Sequence, residues 1–297
     1  MALPSTTDRV IVGYDGSKPS EAALQWAARV ADHQGQKLIV MHAAEWITYT
    51  QDAGSGLAEN ADILAEAREI AERGRDKVLT DFPNLDVEVA TSLFSAKVAI
   101  GELSTTASLV VLGSHGRSRF GTLLMGSTAY AMAGYARCPL VIVREGANDL
   151  PGPTRPVVVG ADGTSGAARA VERAVSVARE WGAPLMLATT WAPAPPDPWD
   201  KGPLGYHSAG EASAAYKAKA ETENAAAAER VSAANPDLQV LGAVIEDHAV
   251  AGLVNAGDRG GLLVLGTRGH GALVGSLLGS TSLGALHTST SPVMIVD

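Results

Sequence analysis

The chain has 297 residues, 46% hydrophobic and 19% charged, which suggests two domains at about 100–200 residues each. Its 23 Lys+Arg against 32 Asp+Glu leave a net charge of -9, which argues against a general nucleic-acid binder. A lone Cys138 excludes an internal disulfide, the start MALPSTTDRV has no leader character, and no apolar run approaches the roughly 18 residues that cross a bilayer, so the expectation is a cytoplasmic protein with no membrane partner.

In chain order, the first apolar run, Val10–Tyr14, leads into Asp15-Gly16-Ser17, with Ser17 placed to cap a helix. Further strands are expected at Leu38–Ala43, Leu85–Ala90, Leu109–Gly113 and Leu140–Val143, with amphipathic stretches between them. The segment Glu145 to Pro156, EGANDLPGPTRP, reads as a connection rich in glycine and proline. The chain then repeats itself. VIVGYDGS from Val10 returns as VVVGADGT from Val157, an offset of 147, and LVVLGSHG from Leu109 returns as LLVLGTRG from Leu262, an offset of 153. CPLVIV from Cys138 matches SPVMIV from Ser291. The expected organisation is a domain over 1–146, a linker over 147–155 and a second copy over 156–297.

The offset rises by six between Thr190 and Leu238, and the proline-rich run Ala192 to Pro203 is the obvious insertion. In the first helix of the second copy, which Thr164 would cap, Val171, Ala174, Val175, Ala178 and Trp181 form one face, and Arg169, Glu172, Arg173, Ser176 and Arg179 the other. Near-continuous apolar strands separated by helices imply an α/β fold, two tandem doubly wound five-stranded parallel-sheet domains.

In such sheets, ligands bind beyond the carboxyl ends of the strands, where the winding direction reverses. Strand 1 ends in Gly13-Tyr14-Asp15-Gly16, and strand 4 in Gly113-Ser114-His115-Gly116, with Gly126-Ser127-Thr128 after nine more residues. The second copy has Gly160-Ala161-Asp162-Gly163, then Gly266-Thr267-Arg268-Gly269, nine residues, and Gly279-Ser280-Thr281. Glycine permits positive φ and close backbone approach, and a helix starting at Gly126 or Gly279 offers N–H groups and hydroxyls to an anion. Asp15 and Asp162 beside an anion suit ribose or adenine hydrogen bonding, or a bridging Mg2+.

The pattern G-x2-G-x9-G-[ST] with an aspartate after strand 1 resembles the ATP-binding subgroup of the universal stress protein family, in tandem form. That resemblance implies strand order 3-2-1-4-5, ATP as ligand and Mg2+ only through phosphates. It places Gly13, Asp15 and the backbone at Ala43 around base and ribose, with Gly113, Ser114, His115, Gly116, Arg117, Ser118, Arg119, Gly126, Ser127 and Thr128 around phosphate. The matching set is Gly160, Asp162 and Thr190, then Gly266, Thr267, Arg268, Gly269, His270, Gly271, Ala272, Gly279, Ser280 and Thr281. Glu246, at the end of strand 3, is a further candidate. Arg117 and Arg119 give the first site more cationic charge than His270 and Ala272 give the second.

No P-loop, nucleophile elbow, zinc motif or kinase triplet occurs, and the histidines at 33, 42, 115, 207, 248, 270 and 287 lack ligand spacing, so no side-chain metal site and no catalytic residue is expected. His42 and Cys138 read as packed and inert, and Trp26 and Trp181 as core or interface. The expected function is an ATP-binding stress-response regulator, with nucleotide-dependent conformation or partner binding. The alternatives are a slow ATPase or nucleotide-dependent transferase, and a scaffold that binds no nucleotide. The resemblance makes the short apolar last strands edge strands, an exposed apolar edge is expected to be covered by pairing of the two copies, and the resemblance permits a homodimer.

Overall fold

The computed structural model describes residues 8–44, 57–116, 125–147, 149–195, 208–267 and 278–297. Two compact units divide at Met1–Asn148 and Asp149–Asp297. Among the described residues of the first, five strands alternate with four helices: β1 (Arg9–Gly13), α1 (Lys18–Gln34), β2 (Lys37–Ala43), α2 (Leu57–Asp81), β3 (Val87–Ser92), α3 (Ala96–Ser104), β4 (Leu109–Gly113), α4 (Ser127–Tyr135) and β5 (Leu140–Val143). The second repeats the order: β6 (Val157–Gly160), α5 (Ser165–Glu180), β7 (Leu185–Trp191), α6 (Ala209–Ala234), β8 (Val240–Glu246), α7 (Ala249–Gly257), β9 (Leu262–Gly266), α8 (Ser280–Thr288) and β10 (Val293–Val296).

Each sheet is parallel, in the order β3-β2-β1-β4-β5 and β8-β7-β6-β9-β10. The inner strands β1, β4, β6 and β9 are covered on both faces, which is why they read as unbroken apolar runs; Val10, Ile11, Val12, Val110 and Val111 are fully buried. Because β1 lies between β2 and β4, successive crossovers run in opposite directions from it. The crevice of each unit therefore opens where β1 and β4, or β6 and β9, end.

Local chemistry fixes the helix starts. The Ser17 hydroxyl accepts the Ser20 N–H at 3.4 Å and the Thr164 hydroxyl accepts the Ala167 N–H at 3.2 Å, as expected of N-caps. Three expectations shift. The strand expected from Leu85 begins at Val87, because the Leu85 N–H closes a turn onto the Phe82 carbonyl at 3.1 Å and its side chain seals the core end. The buried face of α5 runs through Gly166, Ala167, Ala170, Ala174, Val177 and Ala178, with Val171 and Val175 at its margin. Small residues win that face because they let the helix approach the sheet closely. Cys138 is half-buried, at the entry to β5.

The connecting segment is not a bare tether. Ala147 and Leu150 are buried, and a Cβ on Gly261 would lie 2.4 Å from the Pro151 nitrogen, so the chain packs tightly against the start of β9. Arg155 pairs with Asp149, and Gly152 with Arg155 forms a small antiparallel bridge. Most of the proline-rich insertion lies outside the described residues. Of the described helices, none is long and apolar enough to cross a membrane.

Candidate functional site

In the first unit a cleft of about 470 Å3 opens at the carboxyl ends of β1 and β4. That volume is in the range of small-molecule sites. The sheet contributes Gly13, Tyr14 and Asp15 from β1 and its turn, and Met41 to Ala44 from β2. One end is closed by the N-terminus of α4, Gly126 to Ala129, together with Gly113, His115 and Gly116. The other end is walled by Ile63, Glu66, Ala67 and Ile70 of α2 and by Ala96 and Ile100 of α3.

The glycines earn their place by close approach. A Cβ on Gly113 would stand 2.7 Å from the Pro19 carbonyl carbon, one on Gly116 2.7 Å from Asp15 Oδ2, and one on Gly126 3.1 Å from the His115 Cα. Of the strand-end glycines, Gly16 and Gly163 take the expected left-handed backbone, both at φ 78, in the turns that follow β1 and β6. The close approach has a topological reason: the end of β4 must pass against the first turn of α1, and only a residue without a side chain lets the two backbones touch.

Helix α4 starts at Gly126 with no side-chain cap. The Gly126 N–H itself donates to the Ser114 carbonyl at 2.8 Å, and the Ser114 N–H to the Val143 carbonyl at 3.0 Å, so the two ends of the β4–α4 loop are tied together and to β5. The next N–H groups and the Ser127 and Thr128 hydroxyls border the cleft, where the helix dipole favours negative charge. Asp15 accepts the Ser17 N–H at 2.9 Å, an Asx turn that holds the carboxylate at the mouth of the site. The His42 Nδ1–H donates to the Tyr14 carbonyl at 2.7 Å, which fixes the ring as a strap between β2 and the β1 turn.

Under the cleft, the Tyr14 hydroxyl donates to Glu21 Oε1 at 2.6 Å, and Lys77 of α2 pairs with the same oxygen. Burial, then the bond to Glu21, raises the Tyr14 phenol above its usual 10.0. The Glu21 bond raises the Lys77 ammonium above its usual 10.5. The Tyr14 ring fits because Gly74 of α2 has no Cβ; one there would lie 2.8 Å from the ring.

The second unit has the corresponding cleft, about 730 Å3. Gly160, Asp162, Thr190, Gly266, Gly279, Ser280 and Thr281 line it, with Trp191, Tyr216, Lys219 and Glu223 on the far wall. Helix α8 starts at Gly279 without a side-chain cap, and the Gly279 N–H donates to the Thr267 carbonyl at 2.7 Å. A Cβ on Gly266 would stand 2.7 Å from the Gly166 carbonyl carbon, the same approach as in the first copy. The Thr164 N–H bonds Asp162 at 3.0 Å, and the Thr189 hydroxyl donates to the Ala161 carbonyl at 2.8 Å, replacing the His42 strap.

Of the residues expected from sequence, Gly13, Asp15, Ala43, Gly113, His115, Gly116, Gly126, Ser127 and Thr128 meet at the first cleft. Ser114 and Thr267 are buried outside the two linings: the Ser114 hydroxyl lies 3.0 Å from His115 Nδ1, and the Thr267 hydroxyl bonds Asp297 at 2.8 Å, so their role is to hold the loop. Glu246 stands exposed at the end of β8, apart from the cleft lining. Arg117, Ser118, Arg119, Arg268, Gly269, His270, Gly271 and Ala272 lie outside the described residues. Sequence reasoning missed the far walls. Aligning the long helices at the offset of 153 would have exposed them, since Ile63, Glu66, Ala67 and Ile70 correspond to Tyr216, Lys219, Ala220 and Glu223.

It also missed Asn224, buried in α6, whose Nδ2 donates to the Leu187 carbonyl at 2.9 Å and to the Thr189 hydroxyl at 3.0 Å. Its Oδ1 occupies the space over Gly242, where a Cβ would come within 2.4 Å.

A doubly wound α/β domain with a glycine-lined crevice at its switch point, closed by a helix N-terminus, defines a class of small-anion and nucleotide-site folds. The particular family follows from comparison. The model of the universal stress protein family matches residues 6–144 and again 153–297, and the chain belongs to that family as a tandem repeat. It is 28% identical to a universal stress protein of Mycolicibacterium smegmatis, over 100% of this chain and 99% of that one. It is 29% identical to one of Mycobacterium tuberculosis, over 99% of each. A crystal structure of a universal stress protein from Archaeoglobus fulgidus shares the fold, with a TM-score of 0.66 at 19% identity over 99% of each chain.

Proposed function

We propose that the protein is an ATP-binding stress-response regulator with one nucleotide site per repeat, working through nucleotide-dependent conformation or partner binding. The observation that supports it best is the cleft itself, built twice: an α4 or α8 N-terminus without a side-chain cap, backed by glycines that a Cβ would overfill, facing an aspartate, with a largely apolar far wall in the first repeat.

The residues present fit ATP. Ser127 and Thr128, with the first-turn N–H groups of α4, would hold phosphate oxygens, and Ser280 and Thr281 would do so in the second repeat. Asp15 and Asp162, each braced by a backbone N–H, would face the ribose. The apolar wall of Ile63, Ile70 and Ile100 would exclude water from the base. When bound, Mg2+ bridged through the phosphates would offset charge that a chain of net -9 does not neutralise globally.

Isothermal titration with saturating ATP tests the reading. The expected stoichiometry is two per chain, falling to one in Thr128→Glu and in Thr281→Glu, and to none in the double variant, because each carboxylate would face the phosphates. Absence of binding by the parent chain, or two equivalents retained in the double variant, overturns it. The regulatory output would be read as nucleotide-dependent association of chains in sedimentation velocity.

A further inference from the structure

The two repeats finish their sheets differently on the outer strands, β3 in the first and β8 in the second. An outer strand carries one row of unpaired backbone groups, which natural sheets protect with charge, proline or a short strand. On β3 the protection is charge: Lys37 of β2 pairs with Asp86 at 3.4 Å and with Glu88, and both carboxylates are exposed. At the offsets of the duplication those three residues become Pro184, Gln239 and Leu241. The seven residues of β8, VLGAVIE, hold no charge before Glu246, and Leu241 is 37% exposed. Among the described residues β8 pairs with β7 alone.

Two bonds fix the direction of the free groups. The Leu185 N–H donates to the Gln239 carbonyl at 2.9 Å, and the Asp247 N–H to the Trp191 carbonyl at 3.0 Å. Backbone groups alternate along a strand, so the odd-numbered residues from 239 to 247 face β7, while Val240, Gly242, Val244 and Glu246 turn N–H and C=O outward. We propose that β8 pairs antiparallel with β8 of a second copy of this chain, about a two-fold axis at Ala243, the midpoint of the strand. In that register Val240 faces the second copy's Glu246, and Gly242 its Val244, so every outward donor meets an outward acceptor; a slip by one residue would break the match. Leu241, Ala243 and Ile245 point to the other face of the sheet. There Leu241 lies across from the second copy's Ile245 as a close, non-hydrogen-bonded pair, which takes the exposed leucine out of water. Charge selects the antiparallel direction. Arg179, bonded to Asp237 at 2.8 Å just before β8, has N–H donors to spare, and the two-fold brings the second copy's Glu246 to that end. Parallel pairing would set Glu246 beside Glu246. Glu246, which stands apart from the cleft, thereby gains a partner, and none of this rests on the nucleotide reading.

Sedimentation equilibrium of the full chain tests the pairing, and the expected result is a reversible dimer. Val244→Pro removes an outward N–H and no bond to β7, so it should weaken the dimer at least about tenfold. Thr91→Pro, at the matching outward position of β3, should leave the dimer intact. Leu241→Glu, which gives β8 the charge that β3 carries at Glu88, should weaken it by a similar factor. Ala243→Cys in a Cys138→Ser chain should form a disulfide-linked dimer on oxidation by copper phenanthroline. A non-hydrogen-bonded antiparallel pair sets the two Cα atoms about 4.5 Å apart, within disulfide reach. That cross-link leaves the strand whole, so it decides the matter even if Val244→Pro fails to fold. A chain that stays monomeric, including one whose β8 edge takes up an extended peptide of another protein, overturns the inference. So does a dimer that keeps its strength in Val244→Pro and Leu241→Glu, or one that does not cross-link at position 243.

Discussion

Tyr14 and Ala161 occupy the same position after the first strand of the two repeats, yet their neighbours differ in step with them. Tyr14 lies against Gly74, whereas Ala161 has Ala227 at the matching place in α6. Asn224 reaches over Gly242, whereas the first repeat has Ala71 and Val89 at those two positions. The glycines at the β4 and β9 ends, by contrast, sit in the same backbone contact in both. The comparison separates two kinds of constraint. Contacts between backbones allow one solution and are retained. Contacts between side chains allow several solutions of similar volume, and the interior of each repeat has settled on a different one.

The largest effect is expected where both repeats agree. Gly113→Val should cost about 3 kcal/mol or more, since its Cβ would enter the Pro19 backbone, and Gly266→Val should cost a similar amount against Gly166. Urea unfolding followed repeat by repeat through hydrogen exchange measures this; a loss below about 1 kcal/mol would show that the approach is not obligatory.

The next effect lies where the repeats disagree. Asn224→Ala should cost about 1–3 kcal/mol by leaving the Thr189 hydroxyl and a void behind. Gly242→Val alone should also destabilise, by driving Asn224 out of place. Combined, the two substitutions restore the first repeat's pair, and the sum of the single costs should exceed that of the double variant. Strict additivity would deny the coupling.

A smaller difference should appear in alkali. Tyr14 and Lys77 hold their protons above their usual values in the folded state. Folding therefore binds protons there, and the stability they contribute is complete below about pH 10 and lost as pH rises through the raised values. The second repeat has Ala161 and Arg230 at these positions, so the first should open first on alkaline titration. Tyr14→Phe should cost about 1 kcal/mol at neutral pH and narrow that gap. Simultaneous opening would remove the link.

The smallest effect is a surface one. Lys217 and Glu221 form an exposed pair at 3.9 Å on α6, where the first repeat has Leu64, and Lys217→Ala should change stability by less than about 0.5 kcal/mol in thermal unfolding.

The strands and the switch-point glycines were legible because burial on both faces leaves an apolar run and because duplication displays the same spacing twice. Strand order entered through family resemblance, since periodicity carries no information on which strands are neighbours. The buried face of α5 was misjudged by one residue because hydrophobicity ranks Val171 and Val175 above Gly166 and Ala170, while close packing on a sheet ranks them the other way. Asn224 was illegible for a related reason. Its partners are a carbonyl of β7 and a hydroxyl 35 residues away, visible only after folding. The far walls of the clefts stayed hidden because they lie on helices, whose residues read as amphipathic filler until their positions are matched across the duplication.

The fit of Tyr14 over Gly74 also orders history. With alanine at position 74, a tyrosine at position 14 would collide with a Cβ 2.8 Å from its ring. With glycine there first, the helix gives up about 1 kcal/mol of propensity but nothing collides. Whichever pair came first in the ancestral domain, the passable route between them runs through the glycine intermediate. A ratchet follows: once the tyrosine ring fills that gap, Tyr14 has to change before the glycine can, and changing it forfeits the bond to Glu21.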